Sequence, residues 1–497
     1  MSEGIRFFLC EQRIELSGFD PQLTVLEWLR TEARRRGSKE GCAEGDCGAC
    51  TVVIGELHGG SLRYRAFNAC ILLLATLDGK QLLTVEDLAG EGRAGEGRAG
   101  EGLHPVQKAL VDHHGSQCGF CTPGFVMSLF AMYHDTGRAL VPGRVEIDEG
   151  LAGNLCRCTG YAPIVAAARK VLERPADDQF IESRERIIHA LQEIQPVTGA
   201  HVEFEGRQFF APRSAIELTR LLAQYPEAVM VAGATDVGLW INKQQKQMDV
   251  LIHTCNVLEL QELRVDEEHS RLEIGASLSY SDVMDSLCLH YPDLRPLLAR
   301  LGAIQVRNAG TIGGNIANGS PIGDMPPPLI ALQARLVLRS AAGKRELDLE
   351  EFFIGYGKQD LQPGEFVEKI LLPLPCAGQL FRVYKLSKRF DQDISSVCAA
   401  FSLALDDGEV AAIRICYGGM AGVPARASGA ENALLGQAWN SANIERAKRA
   451  LSDDFEPLTD WRASSGYRML AAQNLLQRFF LETTCDEPAQ LAVRDLA

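Results

Sequence analysis

Eight of the chain's 15 cysteines fall into two sets near its start, and each set obliges distant segments to converge. The first is Cys42, Cys47 and Cys50, followed at a distance by Cys70. The second is Cys118 and Cys121, followed by Cys156 and Cys158. No secretory signal precedes them: MSEGIRFFLCEQ lacks a basic region leading into an apolar one. A cytoplasmic location is therefore expected, where cysteines serve as ligands or buried thiols rather than disulfides.

The first set reads C-x4-C-x2-C plus a distant fourth, the spacing with which plant-type ferredoxins hold a 2Fe-2S cluster. Such a cluster is anionic and needs backbone N–H groups turned toward its sulfurs. Gly41, Gly45 and Gly48 permit the tight turns that this requires. Structural zinc favours paired short spacings, and three cysteines in one Gly-rich loop with a lone fourth fit it poorly. In the second set, Cys118-Gly-Phe-Cys121 and Cys156-Arg-Cys158 each precede an expected helix, whose N-terminal partial charge stabilises thiolates. Alone, C-x2-C could be a redox dithiol. The neighbouring C-x-C pair favours a second cluster, and two clusters in series imply one-electron transfer.

A chain of 497 residues should form several domains. The expected fold class is multidomain α+β. A β-rich unit is expected over 1–88. It has hairpin arms Arg6–Leu9 and Arg13–Leu16, a helix from Leu23 to Arg36, and a strand Thr51–Ile54. Residues 89–102 are a Gly/Glu/Arg repeat, read as a solvated linker without chemistry. A helical unit follows over 103–174. His104-Pro105 opens one helix, Thr122 caps another with Pro123 at its first position and Gly137 at its stop, and Tyr161-Ala162-Pro163 opens a third. A charged linker is expected over 175–200. The texture then shifts to strands, helices and Gly-rich turns over 201–377, with a final α+β segment over 378–497.

Two of those turns are candidate phosphate loops: Val231, Ala232, Gly233, Ala234, Thr235 and Asp236, then Gly310, Thr311, Ile312, Gly313, Gly314 and Asn315. Gly233 would let backbone approach a phosphate, with exposed amides and Thr235 donating. Neither is GxGxxG, so no Rossmann site is indicated, and by chemistry alone each is equally an ordinary tight turn.

The motifs GCAEGDCGAC, NAC, QCGFCTPG and GNLCRCTGY together resemble the molybdenum hydroxylase family, which includes xanthine dehydrogenase and aldehyde oxidase. AGATDVG and GTIGGNIANGSPIGD resemble that family's two FAD-contacting stretches. The resemblance covers nearly the whole chain. It implies a ferredoxin-like β-grasp domain, a four-helix 2Fe-2S domain, an α+β FAD-binding domain and an α+β C-terminal flavoprotein domain. It places the eight cysteines as ligands of two 2Fe-2S clusters. It also implies that FAD is held by Val231, Ala232, Gly233, Ala234, Thr235, Asp236, Gly310, Thr311, Gly314, Asn315 and Asp324.

Animal members continue into a molybdopterin domain, whereas this sequence runs to Ala497 on the cluster and flavin parts alone. It thus resembles the small subunit of bacterial xanthine dehydrogenases. That likeness implies a molybdopterin-binding large subunit as partner, NAD as acceptor and a hetero-oligomer such as a dimer of heterodimers. An aldehyde- or N-heterocycle-oxidising relative with another acceptor is the alternative, and a zinc-stabilised scaffold the remote one. Ser396 and Leu301 depart from the animal pattern near the flavin. His113 and His114 are read as non-ligands, Asp391 and Asp393 as a surface turn, and Tyr356 as a residue that could pack near a nicotinamide. Net charge of −15 argues against nucleic acid, and no apolar run is long enough to span a membrane.

Overall fold

The computed structural model describes residues 1–89 and 102–484. Most of the Gly/Glu/Arg repeat and the last thirteen residues, Cys485 included, lie outside the described residues. The chain forms two compact units: Met1–Leu258 with Gly302–Gly310, and Glu259–Leu301 with Thr311–Ala497.

The first unit opens with a β-grasp. Strand Ile5–Leu9 alternates buried and half-buried residues, with Ile5, Phe7 and Leu9 facing inward, as a half-covered sheet requires. It pairs antiparallel with Gln12–Leu16 and parallel with Gln81–Leu83, which in turn pairs antiparallel with Thr51–His58. Helix Val25–Thr31 packs on this sheet, with Leu26 and Leu29 buried and Thr24 Oγ1 accepting from the Glu27 N–H. It is shorter than the expected Leu23–Arg36. The chain leaves it through Arg34, whose φ of 55° is left-handed.

Four helices follow: Pro105–Asp112, Thr122–Tyr133, Arg144–Leu151 and Ala162–Leu172. His104 caps the first, as expected of His104-Pro105. The second corrects the sequence reading: Cys121, not Thr122, occupies the cap position, and the Thr122 hydroxyl bonds Ser116 instead. It stops at His134, whose ring is bound to Asp178, before Gly137. The stretch 175–200, expected as a linker, carries helices Gln179–Glu182 and Arg184–Ile194. Their Phe180, Ile187, Leu191 and Ile194 are buried against the four-helix core, an apolar face that the charged residues obscured.

A second sheet in this unit runs Ser2–Glu3, Ala200–Phe204, Arg207–Ala211, Val250–His253, Val229–Val231. Its last two pairings are parallel. Because it begins with the N-terminal strand, the front of the 201–377 segment belongs to the first unit.

The second unit holds an antiparallel five-stranded sheet with Arg271–Gly275, Phe366–Pro373 and Arg335–Ser340 side by side at its centre. A further antiparallel sheet, built on Val397–Asp406 and Glu409–Gly418, is covered by helices Ser441–Asp454 and Ser465–Thr484. Among the described residues no helix is long and apolar enough to cross a membrane.

Candidate functional site

The first cysteine loop coils around its own sulfurs. Ala43, Gly45 and Gly48 all take left-handed φ, at 54°, 79° and 67°. This turns the Asp46 and Cys47 N–H groups onto Cys42 Sγ, at 3.4 and 3.3 Å. A hydrogen bond from the Cys47 thiol depresses the Cys42 thiol to about 5, against a burial that alone would raise it. Cys70 follows strand Ser61–Asn68 and bonds Cys50, and that thiol pairing together with burial pushes Cys70 up. Asn68 ties the parts together by donating to the Gly45 carbonyl at 2.7 Å.

The second set assembles at the ends of helices. Cys121 pairs with Cys156, and Cys118 with Cys158. Burial, followed by the Cys156 contact, raises the Cys121 thiol to about 12. For Cys156, burial is outweighed by the Thr159 hydroxyl and N–H, and its thiol is lowered. Cys118 and Cys158 are exposed, as are Phe120, Leu155 and Tyr161 around them.

This two-by-two pairing tests which metal the cysteines suit. One tetrahedral zinc with thiolates at ~2.3 Å would hold all four sulfurs within roughly 4 Å of one another. Among the described residues, no three of these sulfurs lie within 4.8 Å of each other. Two thiols in contact per metal suit a two-iron cluster, and the donor sets fit 2Fe-2S.

The flavin candidates divide between the units. In the first, strand Val229–Val231 runs into Ala232–Asp236, and Ala234 has φ 58°. Gly233 lies directly against the backbone of Ala309: a Cβ there would sit 1.8 Å from the Ala309 carbonyl oxygen and 2.8 Å from the Gly310 nitrogen. A Cβ on Gly310 would lie 3.8 Å from Thr235. Loop 231–236 and Gly310 are thus brought together, and Gly233 is needed for that backbone packing. The buried His253 ring donates to the Ala232 carbonyl, and burial holds it neutral, near 3.

In the second unit, Thr311 Oγ1 accepts from the Gly314 N–H at 3.0 Å and caps helix Ile312–Ala317. Asn315 Oδ1 is buried without a hydrogen-bond partner, as expected of an atom that awaits a ligand. Asp324 is already engaged: its carboxylate accepts from Lys385 Nζ at 2.6 Å and Ser395 Oγ at 2.5 Å. Arg389 bonds Asp393, Tyr356 is 82 % exposed, and the His113 ring turns to the Ala109 carbonyl.

Sequence reasoning missed three features of the first unit. Asn242, at the end of helix Val237–Asn242, donates to the Cys70 carbonyl at 2.7 Å and the Ala43 carbonyl at 3.1 Å. It links the helix after the candidate flavin loop to the first cysteine loop, and nothing in its local sequence signals this. Gln305 reaches between the two cysteine loops. The third is a buried triad: His104 Nε2 and His134 Nε2 lie 2.6 and 2.9 Å from Asp178 Oδ2. These are hydrogen-bond distances, closer than two ligands of one zinc would stand. Val106 N–H donates to His104 Nδ1, which leaves Nε2 to carry the proton toward Asp178.

Residues 84–169 match the model of a [2Fe-2S] binding domain. Residues 202–375 match the FAD binding domain in molybdopterin dehydrogenase, and 382–483 the CO dehydrogenase flavoprotein C-terminal domain. The chain is 30% identical to xanthine dehydrogenase of Emericella nidulans over 91% of its own length and 36% of that protein's. It is 28% identical to aldehyde oxidase 4 of Cavia porcellus over 97% and 39%. It therefore spans little more than a third of the length of these relatives. A chain of carbon monoxide dehydrogenase from Hydrogenophaga pseudoflava superposes with TM-score 0.52 at 31% identity, covering 54% of this chain and 94% of that one. A chain of quinoline 2-oxidoreductase from Pseudomonas putida 86 does so at 0.50 and 27%, covering 55% and 94%.

Proposed function

Because the chain belongs to the molybdenum hydroxylase family, we propose that it is the electron-transfer subunit of a xanthine dehydrogenase. The observation that carries this is the pairing of eight thiols, two by two, in the unit that also holds the loop 231–236. When bound, the groups supply oxidation of xanthine or hypoxanthine at a partner's molybdenum, single-electron relay through two clusters, and hydride release from FAD to NAD.

The chain's own residues set the conditions. Cys42, Cys47, Cys50 and Cys70 hold one cluster, and the Asp46 and Cys47 amides stabilise its sulfur charge. Cys118, Cys121, Cys156 and Cys158 hold the other. Exposed Phe120, Leu155 and Tyr161 beside Cys118 and Cys158 offer the apolar surface on which a molybdopterin-binding large subunit would dock. Val231–Asp236 and Gly310 are assigned to FAD, as are Thr311, Gly314, Asn315 and Asp324, with Asn315 Oδ1 the orphan acceptor that FAD would satisfy. A hetero-oligomer such as a dimer of heterodimers, in the reducing cytoplasm, suits these thiols.

The test is direct. Anaerobically purified chain should carry about four iron, four acid-labile sulfides and one FAD, and NADH should reduce the flavin in stopped-flow. Colourless protein containing zinc would refute the cluster assignment. The likeness to carbon monoxide dehydrogenase and quinoline 2-oxidoreductase favours a second reading, a relative that oxidises another substrate and passes electrons to an acceptor other than NAD. A flavin reduced by the partner's substrate yet inert to NADH would select it.

A further inference from the structure

The two cysteine loops meet backbone to backbone. Leu155 N–H donates to the Cys47 carbonyl at 3.0 Å, so one hydrogen bond joins a ligand of the first set to the neighbour of Cys156 in the second. Glycines allow this approach. A Cβ on Gly48 would lie 2.1 Å from the Gly153 carbonyl oxygen, and one on Gly124 would lie 2.1 Å from that of Gly48. No side chain fits between the loops.

Behind this seam sit four buried polar side chains from four segments. Thr51 follows Cys50, Ser128 lies on the helix that Cys121 opens, Asn154 precedes Cys156, and Gln305 lies on helix Ile304–Ala309, which ends at Gly310. Asn154 Nδ2 donates to the Gly48 carbonyl at 3.1 Å, and Ser128 Oγ donates to Asn154 Oδ1 at 2.6 Å. Gln305 Nε2 lies 3.3, 3.1 and 3.3 Å from Thr51 Oγ1, Ser128 Oγ and Asn154 Oδ1. Its Oε1 is buried without a hydrogen-bond partner, pressed onto Gly153, where a Cβ would stand 1.8 Å away. The unmet acceptor costs stability that an apolar side chain of the same shape would not, so what Gln305 adds at this position is its donors.

We infer that Gln305 is a positioning residue for electron transfer between the two clusters. Its amide gathers Thr51, Ser128 and Asn154 onto one nitrogen and so holds the Leu155–Cys47 hydrogen bond closed. The inference rests on the reading that the cysteines hold two clusters. The step it serves moves one electron from the reduced cluster on Cys118, Cys121, Cys156 and Cys158 to the oxidised cluster on Cys42, Cys47, Cys50 and Cys70. No bond is made or broken and no proton moves. Electronic coupling decays steeply across a through-space gap and slowly along bonds and hydrogen bonds, so the rate depends on the seam staying shut.

The test compares wild-type full-length chain with Gln305→Met, which keeps length and removes both donors, and Gln305→Glu, which sets an acceptor against three acceptors. Iron, sulfide and FAD are assayed first. Electron paramagnetic resonance of the fully reduced protein then gives the splitting each cluster imposes on the other, and rapid freezing after a photochemical electron pulse gives the inter-cluster rate. Gln305→Met should keep wild-type iron and sulfide, weaken the splitting and slow the inter-cluster phase severalfold. Gln305→Glu should do so more strongly. Unchanged splitting and rate in Gln305→Met with both clusters present would overturn the inference and leave the cluster reading standing. Loss of iron from Gln305→Met would also overturn it, since Gln305 would then serve cluster assembly. Wild-type protein without iron and sulfide would instead refute the reading beneath it.

Discussion

Asp178→Ala removes the carboxylate on which the helical part of the first unit converges. Oδ2 accepts from His104 and His134 at 2.6 and 2.9 Å, and Oδ1 from the Phe180 and Ile181 N–H groups at 3.0 and 3.1 Å. His104 caps helix Pro105–Asp112, His134 ends Thr122–Tyr133, and Asp178 caps Gln179–Glu182, so three helix termini hang on one side chain. The carboxylate is 1% exposed, and solvent screening gives little relief. Losing the cap costs about 1 kcal/mol, and stranding two buried imidazole donors costs about 1–3 kcal/mol each. The sum spans about 3–7 kcal/mol, and its lower part, about 4 kcal/mol, agrees with the roughly 3–5 kcal/mol for breaking a buried charged pair. At 1.4 kcal/mol per decade this makes local opening roughly a thousandfold more frequent. Hydrogen exchange by mass spectrometry reads this without assuming two-state unfolding of the chain. Amides in 105–133 and 179–194 should exchange about a thousandfold faster, while those in 366–418 should not change. Protection in 105–133 within a few-fold of wild type would refute the argument that the triad holds these helices.

The pH dependence of the same group has a definite sign. Burial alone would raise the Asp178 carboxyl, but hydrogen bonds from the two imidazoles hold it well below the usual carboxylate range. Its stabilisation is thus fully present above the unfolded value, ~3.9, and is lost as pH falls from there toward the folded value. Acid titration of helix content should show this part of the chain intact from neutrality to about pH 4, and onset near pH 6 would point to an imidazole instead. Gly233→Ala forces a methyl onto the Ala309 carbonyl, an overpacking of about 1–3 kcal/mol or more. Flavin per chain should fall at unchanged iron, and full flavin occupancy would contradict the packing account. Cys118→Ser or Cys156→Ser should abolish electron transfer from the partner and leave FAD bound, so a folded variant without flavin would count against separate sites. Asn242→Ala removes two hydrogen bonds to the first cysteine loop, about 1–3 kcal/mol. Chelators should then strip that loop's iron sooner, and an unchanged rate would show that Asn242 does not brace it.

Local chemistry was legible in the residue order because spacing along the chain is itself a geometric statement. C-x4-C-x2-C in a Gly-rich loop can hardly place its sulfurs anywhere but around one centre, and Ala43, Gly45 and Gly48 take the left-handed turns this needs. The hairpin arm Arg6–Leu9 and the helix opened by His104-Pro105 were readable for the same reason. Misreadings arose where a distant partner outvoted a local preference. Thr122 is a good cap in isolation, yet the segment presents Cys121 there, and Gly137 yields to a stop at His134. The 175–200 stretch looked like a linker because it is rich in charge with some Pro, but Phe180, Ile187, Leu191 and Ile194 find a core on the preceding helices.

The residue order alone pointed to the candidate ligand sets, the candidate flavin loops and the family, because covalent spacing survives whatever the rest of the chain does. Only the tertiary structure decided that the sulfurs gather two by two, and that Gly48, Gly124 and Gly153 let the cysteine loops touch. It alone brought Asn242, Gln305 and Asp178 to their partners. Those contacts join segments separated by up to 254 positions. Such distances are closed by burial of apolar surface across the whole unit, and no window of sequence contains them.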